Sequence, residues 1–253
     1  MSKPSLVLVH GSWHCPAHFD KLVKVLQEHE YRCVAVSLPS TQSSDHPPAT
    51  LADDTKAVRD AVIDELDVGN NVVVVAHSYG GTPTNNGLQG LDKKTRTSAG
   101  ASTAVTAIAF LCAIPLPAGV SFFAGLGGIP HHIHDLSRNP DFSDVGDPGP
   151  AHYFYNDMSI GDQKKYSALI RPQSWIACLG EPEYAAYMDI PSWYLHCAND
   201  RAFPLGAQKR LVGAAIAAGA QIRTETVGAS HSPYLSLPEE TAEFIMRAAS
   251  EQE

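Results

Sequence analysis

Six short β-rich runs, separated mostly by stretches of helical period, constrain this chain more than any other feature. They are SLVLVH (5–10), RCVAVSL (32–38), NVVVVAH (71–77), VTAIAFLCA (105–113), SWYLHCA (192–198) and QIRTETV (221–227). A strand with one wet face alternates apolar and polar side chains, whereas four successive valines at 72–75 suit a strand covered on both sides. Strands of that kind, joined by helices, form a parallel sheet between two helical layers. Amphipathic helical patterns cover 16–29, 50–66, 80–90, 205–219 and 238–250. Pro238 falls where a first turn tolerates it, and 45–50, with two prolines, leads into the second helix. The expected fold class is α/β, with a mostly parallel central sheet of about six strands flanked by helices.

The alternation fails once, from about Leu116 to Met188. There SFFAGLGGIPHHIHD, HYFYND and YSALIRPQSWIACL follow one another, rich in Gly, Pro and aromatic residues. A structureless loop of that length is improbable in a compact domain, so an inserted cap over about 116–188 is expected within a single domain spanning 1–253. With 253 residues, 44% of them hydrophobic, the chain can bury one large core. A formal net charge of −9 leaves no basic patch to neutralise a run of phosphates, so nucleic acid is not an expected partner. The amino end enters an apolar strand with no room for a charged leader, and stretches such as GAAIAAGA fall short of a membrane span, so a cytoplasmic protein is expected. Five cysteines lie far apart, with Cys33, Cys112 and Cys197 inside apolar runs, and they show neither a disulfide framework nor a zinc spacing. Whether the chain forms a homodimer the sequence leaves open.

Chemistry concentrates at the ends of the apolar runs. In Ala76-His77-Ser78-Tyr79-Gly80-Gly81, small residues flank a serine between a valine strand and a helical pattern. A tight strand-to-helix turn of this composition lifts a hydroxyl clear of the backbone as a nucleophile, although a serine after a β-run is often only a turn residue. Such a serine needs a base, and histidine suits the task near neutral pH. Of twelve histidines, His231 alone follows the last strand and precedes the last helix. An orienting carboxylate is supplied by Asp200, directly after the fifth strand; its alternative is a helix cap, four residues ahead of Pro204. Asp189 precedes that strand and sits at the wrong edge. Serine, aspartate and histidine in that chain order, each after a strand, put Ser78, Asp200 and His231 at one rim of the sheet.

Acyl transfer also needs two N–H donors for a developing oxyanion. The Tyr79 amide opens a helix, and Gly11 lets the backbone come close enough for the Ser12 amide to be the second. Trp13 follows directly, and Gly11 and Trp13 are expected to contact the substrate. In the cap, Phe122, Phe123, Tyr153, Phe154, Tyr155 and Trp175 could line an apolar substrate pocket or form the cap's own small core. His131, His132 and His134 suggest a metal, yet no further ligand set accompanies them, and neither a metal nor another cofactor is expected.

LVHGSWH, VAHSYGG, HCANDRAFP and ASHSPYLSLPEE, in that order and spacing, resemble the α/β-hydrolase superfamily, and within it the group of plant methyl esterases and hydroxynitrile lyases. The resemblance spans nearly the whole chain apart from the cap. It implies an α/β-hydrolase fold, a triad of Ser78, Asp200 and His231, and oxyanion amides at Ser12 and Tyr79. It also implies that a leading hairpin of longer members is missing. Lyases of the group resemble this chain in the hydroxyl residue after His10-Gly11, but they place a lysine where Ser232 stands. The expectation is a serine hydrolase that cleaves a small or medium apolar carboxylic ester, lactone or thioester through an acyl-enzyme. Carbon–carbon cleavage on the same residues, or a slow ligand-receptor-like hydrolase, is the alternative.

Overall fold

The computed structural model describes residues 3–42, 44, 46–127 and 133–250. Six strands build the central sheet: β1 (Ser5–Val9), β2 (Cys33–Val36), β3 (Val72–His77), β4 (Val105–Leu111), β8 (Ser192–Cys197) and β9 (Ile222–Val227). Their order is β2-β1-β3-β4-β8-β9, and every pairing is parallel. Side-chain alternation divides the core in two. Val7, Val9, Val72, Val74, Ile108 and Phe110 face one way, against Val58, Val62 and Leu66 of the helix Leu51–Asp67 and Val212 of the helix Leu205–Ala217. Leu6, Leu8, Val73, Val75, Ala109 and Leu195 face the other, against Leu22 and Leu26 of the helix Asp20–Glu28 and Phe244 and Ile245 of the helix Pro238–Ser250. The valine run is thus covered on both faces, as its composition requires.

Helix ends follow local chemistry. Thr50 and Asp53 form a reciprocal capping box at the start of Leu51–Asp67. The helix expected over 80–90 is shorter, Gly81–Gly87, because glycines at 87 and 90 interrupt it and Gly90 adopts φ +74. A further helix, Lys93–Ser98, capped by Asp92, lacks an apolar stripe and so escapes a periodicity search.

Between β4 and β8 the chain forms three short strands, β5 (His134–Asp135), β6 (Phe142–Val145) and β7 (Gln173–Ser174), paired antiparallel. Short helices at Phe122–Gly125, Pro150–Phe154, Ile160–Ser167 and Trp175–Leu179 accompany them. This segment is fastened to loops at the carboxyl ends of the main strands. Trp13 Nε1 donates to Ser143 O at 2.8 Å, Arg171 N to Trp13 O at 2.9 Å, and Ser230 N to Asp157 Oδ2 at 2.7 Å. Asn156 Nδ2 reaches Asn199 O at 3.2 Å. Among the described residues no helix is long and apolar enough to cross a membrane.

Candidate active site

The sheet order reverses direction at β1, whose neighbours are β2 and β3, and the loops leaving β1 and β3 flank the crevice that such a switch creates. Val9 pairs with Ala76, so the residues just beyond, Gly11 and Ser78, meet at the same level. A Cβ on Gly11 would lie 2.8 Å from Ser78 Cβ and 2.9 Å from His77 Nδ1. Glycine at 11 is therefore demanded by the serine turn itself, a stronger constraint than approach to a ligand. Ser78 adopts φ +51, a left-handed conformation that a non-glycine residue holds only where its surroundings impose it. His77 and Tyr79 are wholly buried, while Ser78 keeps 8% of its surface open. Gly80 completes the turn, because a Cβ there would stand 2.5 Å from His10 O.

Asp200 and His231, from the loops after β8 and β9, meet at the same rim. His231 Nδ1 lies 2.7 Å from Asp200 Oδ2, both side chains almost fully buried. A carboxylate oxygen accepts, so Nδ1 is the donor of this bond and Nε2 is the ring nitrogen left for other partners. Asp200 does not cap the helix Leu205–Ala217, whose N-cap is Pro204. Its Oδ1 instead accepts from Ala202 N at 2.9 Å and Phe203 N at 2.7 Å, and Gln208 Nε2 donates to Oδ2 at 3.1 Å. The backbone of His231 is tied to the serine turn: His77 Nε2 donates to His231 O at 2.8 Å, and Cys112 Sγ approaches the same oxygen at 3.3 Å. Burial keeps His77 neutral, its pKa well below the usual imidazole range.

The loop after β1 is fixed as firmly. His10 Nδ1 donates to Gly11 O at 2.9 Å while its Nε2 accepts from Leu38 N at 3.2 Å, and desolvation lowers its pKa to about 4. A trans peptide sets N–H opposite C=O, so the Ser12 amide points away from His10. His14 Nδ1 donates to Ser12 O at 2.7 Å and its Nε2 faces the Tyr155 hydroxyl at 3.1 Å.

The aromatic candidates separate into two groups. Trp13, Phe122 and Trp175 surround His134, with ring centroids 4.7, 6.4 and 5.1 Å from it, and Phe123 packs edge-on to Trp175 at 5.4 Å. Tyr155 has no exposed surface and lies among His14, His18, Phe154 and Tyr166. His131 and His132 lie outside the described residues. Donor atoms of His77, Cys112 and His231 lie within 4.8 Å of one another, the one such three-residue group among the described residues. His77 Nε2 and the Cys112 thiol both point at a carbonyl, and burial drives the thiol pKa well up, so a cation would have to displace existing bonds and a proton.

Two of the cavities lie at opposite ends of the sheet, and neither has Ser78, Asp200 or His231 in its lining. One of about 630 Å³ lies at the opposite, amino-terminal rim, lined by Pro191, Trp193, Ile222 and Arg223, away from Ser78. The other, about 220 Å³, is bounded by Leu126, Ile133, Phe203, Pro204 and Leu211, beside the turn that donates to Asp200.

Sequence reasoning passed over Gln208 and Asp157, which hold the Asp200 and His231 loops. Gln208 left one signal, a buried amide within an otherwise small and apolar helical stripe.

A six-stranded parallel sheet with Ser78, Asp200 and His231 on loops at one rim defines an α/β-hydrolase type of molecule. The chain belongs to the alpha/beta hydrolase family, whose model matches residues 6–244. It is 30% identical over 252 residues to the alpha/beta hydrolase nvfD of Aspergillus novofumigatus, covering 99% of this chain and 98% of that one. Solved structures with the same fold include a polyneuridine aldehyde esterase mutant, with TM-score 0.77 and 18% identity over 97% of this chain and 99% of that one. The methylesterase MES16 from Arabidopsis superposes with TM-score 0.74 and 19% identity, covering 98% and 99%.

Proposed function

We propose that the protein is a serine hydrolase that cleaves a small or medium apolar carboxylic ester, lactone or thioester through an acyl-enzyme. The observation that carries this reading is the buried Asp200–His231 hydrogen bond of 2.7 Å, held against a left-handed Ser78 turn. His231 Nε2 takes the proton of Ser78 Oγ as the oxygen attacks the carbonyl carbon, and the carbonyl electron pair moves onto the oxyanion. The amides of Ser12 and Tyr79 receive that charge. Collapse breaks the bond to the leaving oxygen or sulfur, which takes the proton from Nε2. Water then gives its proton to Nε2 and attacks the acyl carbon, and the returning proton restores Ser78 as the acid departs. Asp200 keeps Nδ1–H oriented and stabilises the imidazolium in both halves.

Residues about 116–188 act in this reading as a cap within the single domain. Its fastening to the β1, β8 and β9 loops supports that role. The names of the polyneuridine aldehyde esterase and the methylesterase point to esters as the bond class. Ser232 in place of a lysine favours hydrolysis over release of a charged leaving group by lyase chemistry.

The test is labelling with a fluorophosphonate followed by peptide mapping, with turnover measured on a panel of aryl and alkyl esters. Modification at Ser78, and a fall of at least about a thousandfold in kcat/KM for Ser78→Ala, is expected. Wild-type turnover by Ser78→Ala would remove the nucleophile.

A further inference from the structure

Behind the two proposed oxyanion amides lies a chain of hydrogen bonds that the triad does not explain. Tyr79, whose backbone amide is one donor, buries its ring completely and sends its hydroxyl to Asp54 Oδ2 at 2.7 Å. The other oxygen of Asp54 accepts from Ser40 N at 2.9 Å. Two residues earlier on the same loop, Leu38 N donates to His10 Nε2 at 3.2 Å, and His10 Nδ1 holds the Gly11 carbonyl of the Ser12 peptide at 2.9 Å. The two amides are therefore joined through Tyr79, Asp54, residues 38–40 and His10.

We propose that Asp54 is a positioning residue for the oxyanion site: its ionised carboxylate, on the helix Leu51–Asp67, locks the Tyr79 turn to the 38–40 loop and thereby sets both amides. The inference rests on the serine-hydrolase reading above. Asp54 is fully buried, a place where a carboxylate is costly unless it has donors. No lysine or arginine among the described residues pairs with it. The groups facing it are Ser40 from the loop, Tyr79 from the turn, Cys178 from the helix Trp175–Leu179 and Asp53 from its own helix. None is a cation, and desolvation raises its pKa to about 6. Protonation turns Oδ2 from an acceptor into a donor, so the Tyr79 hydroxyl must reverse and can no longer donate to Asp54. Asparagine imposes the same reversal.

The experiment compares kcat and KM of wild type, Asp54→Asn and Tyr79→Phe on an activated aryl ester, over the pH range in which circular dichroism shows each protein folded. Asp54→Asn should lower kcat about tenfold at pH 8 with KM within about twofold, less than outright loss of an oxyanion donor. The wild-type acid limb should carry a proton dependence from Asp54 that the Asp54→Asn variant lacks. Tyr79→Phe removes a bond that favours the carboxylate, so its limb should move to higher pH; this second variant carries the test should Asp54→Asn not fold. Wild-type kcat and an unchanged limb in both variants, with Ser78→Ala inactive, would overturn the role of Asp54 alone. Absence of ester turnover in the wild type, or its persistence in Ser78→Ala, would overturn the hydrolase reading and this proposal together.

Discussion

At the residue scale Asp200 shows how one carboxylate serves two demands. Its Oδ1 closes the 200–203 turn through two backbone amides, and its Oδ2 takes Nδ1–H of His231 and Nε2–H of Gln208. Asp200→Asn keeps the first function, since an amide oxygen can accept the same two bonds. It sets an NH₂ against His231 and Gln208, and the imidazole then favours the other tautomer, with its proton on Nε2 where the base should be empty. We expect kcat to fall by about 10⁴-fold, as when a triad carboxylate is made neutral. The two opposed donors should cost about 1–3 kcal/mol of stability, visible as a lower urea midpoint. An unchanged kcat would move the orienting role to another carboxylate.

At the element scale the crossing of the serine turn over β1 limits what the chain tolerates. A Cβ on Gly80 would meet His10 O at 2.5 Å and Val9 O at 2.7 Å, both backbone atoms of a buried strand and its exit. Gly80→Ala must push the turn off β1, and a loss of about 1–3 kcal/mol is expected in urea unfolding. Gly213, inside the helix Leu205–Ala217 with nothing within 4 Å of its would-be Cβ, is the contrast: Gly213→Ala should stabilise by about 0.5–1 kcal/mol. A comparable loss at both positions would disprove the close crossing. The same distinction explains what the sequence made legible. Val72–His77 announces itself because burial on both faces forces an uninterrupted apolar run, and Ser78 directly follows it; β9 is half exposed and mostly polar, so it reads only by its β-branched residues, and His231 stands further along the loop beyond it. Tyr155 cannot be assigned this way, since its hydroxyl is claimed by His14, 141 residues away. Asp54 looks like any acid in the first turn of an amphipathic helix; only the packing of Tyr79 and Ser40 against it makes it singular. Periodicity records which face an element buries, but not which polar partners meet there.

At the scale of the whole molecule, the buried imidazoles decide how the protein meets acid. His10, His14, His18 and His77 are packed beneath the site with at most 1% exposure. Desolvation holds His10 and His18 at about 4 and takes His14 and His77 well below their ordinary value of 6.5. The unfolded chain therefore binds more protons than the native one below about pH 6.5. Stability from these groups is complete above that pH and is lost as the pH falls toward 4. For His10 and His18 a depression to about 4 is worth about 3 kcal/mol each, together comparable with the lower range of total domain stabilities. Asp54 opposes them: with its pKa raised to about 6, it favours the native state increasingly as pH falls from 6 to about 3.8. One carboxyl offsets about one histidine, so four imidazoles prevail. Glu65 acts later, because Arg32 holds its pKa near about 2 and its contribution fades only as the pH falls from about 4.5 toward that value. Thermal melting from pH 8 to pH 4 should show a plateau above about pH 6.5 and then a steep fall, with uptake of more than two protons per molecule on unfolding near pH 5. His18→Gln should reduce that uptake by one, whatever its effect on the plateau. A melting temperature that stays level between pH 7 and pH 5 would mean that the imidazoles accept protons within the folded state, and that the cluster beneath the serine turn is open to water.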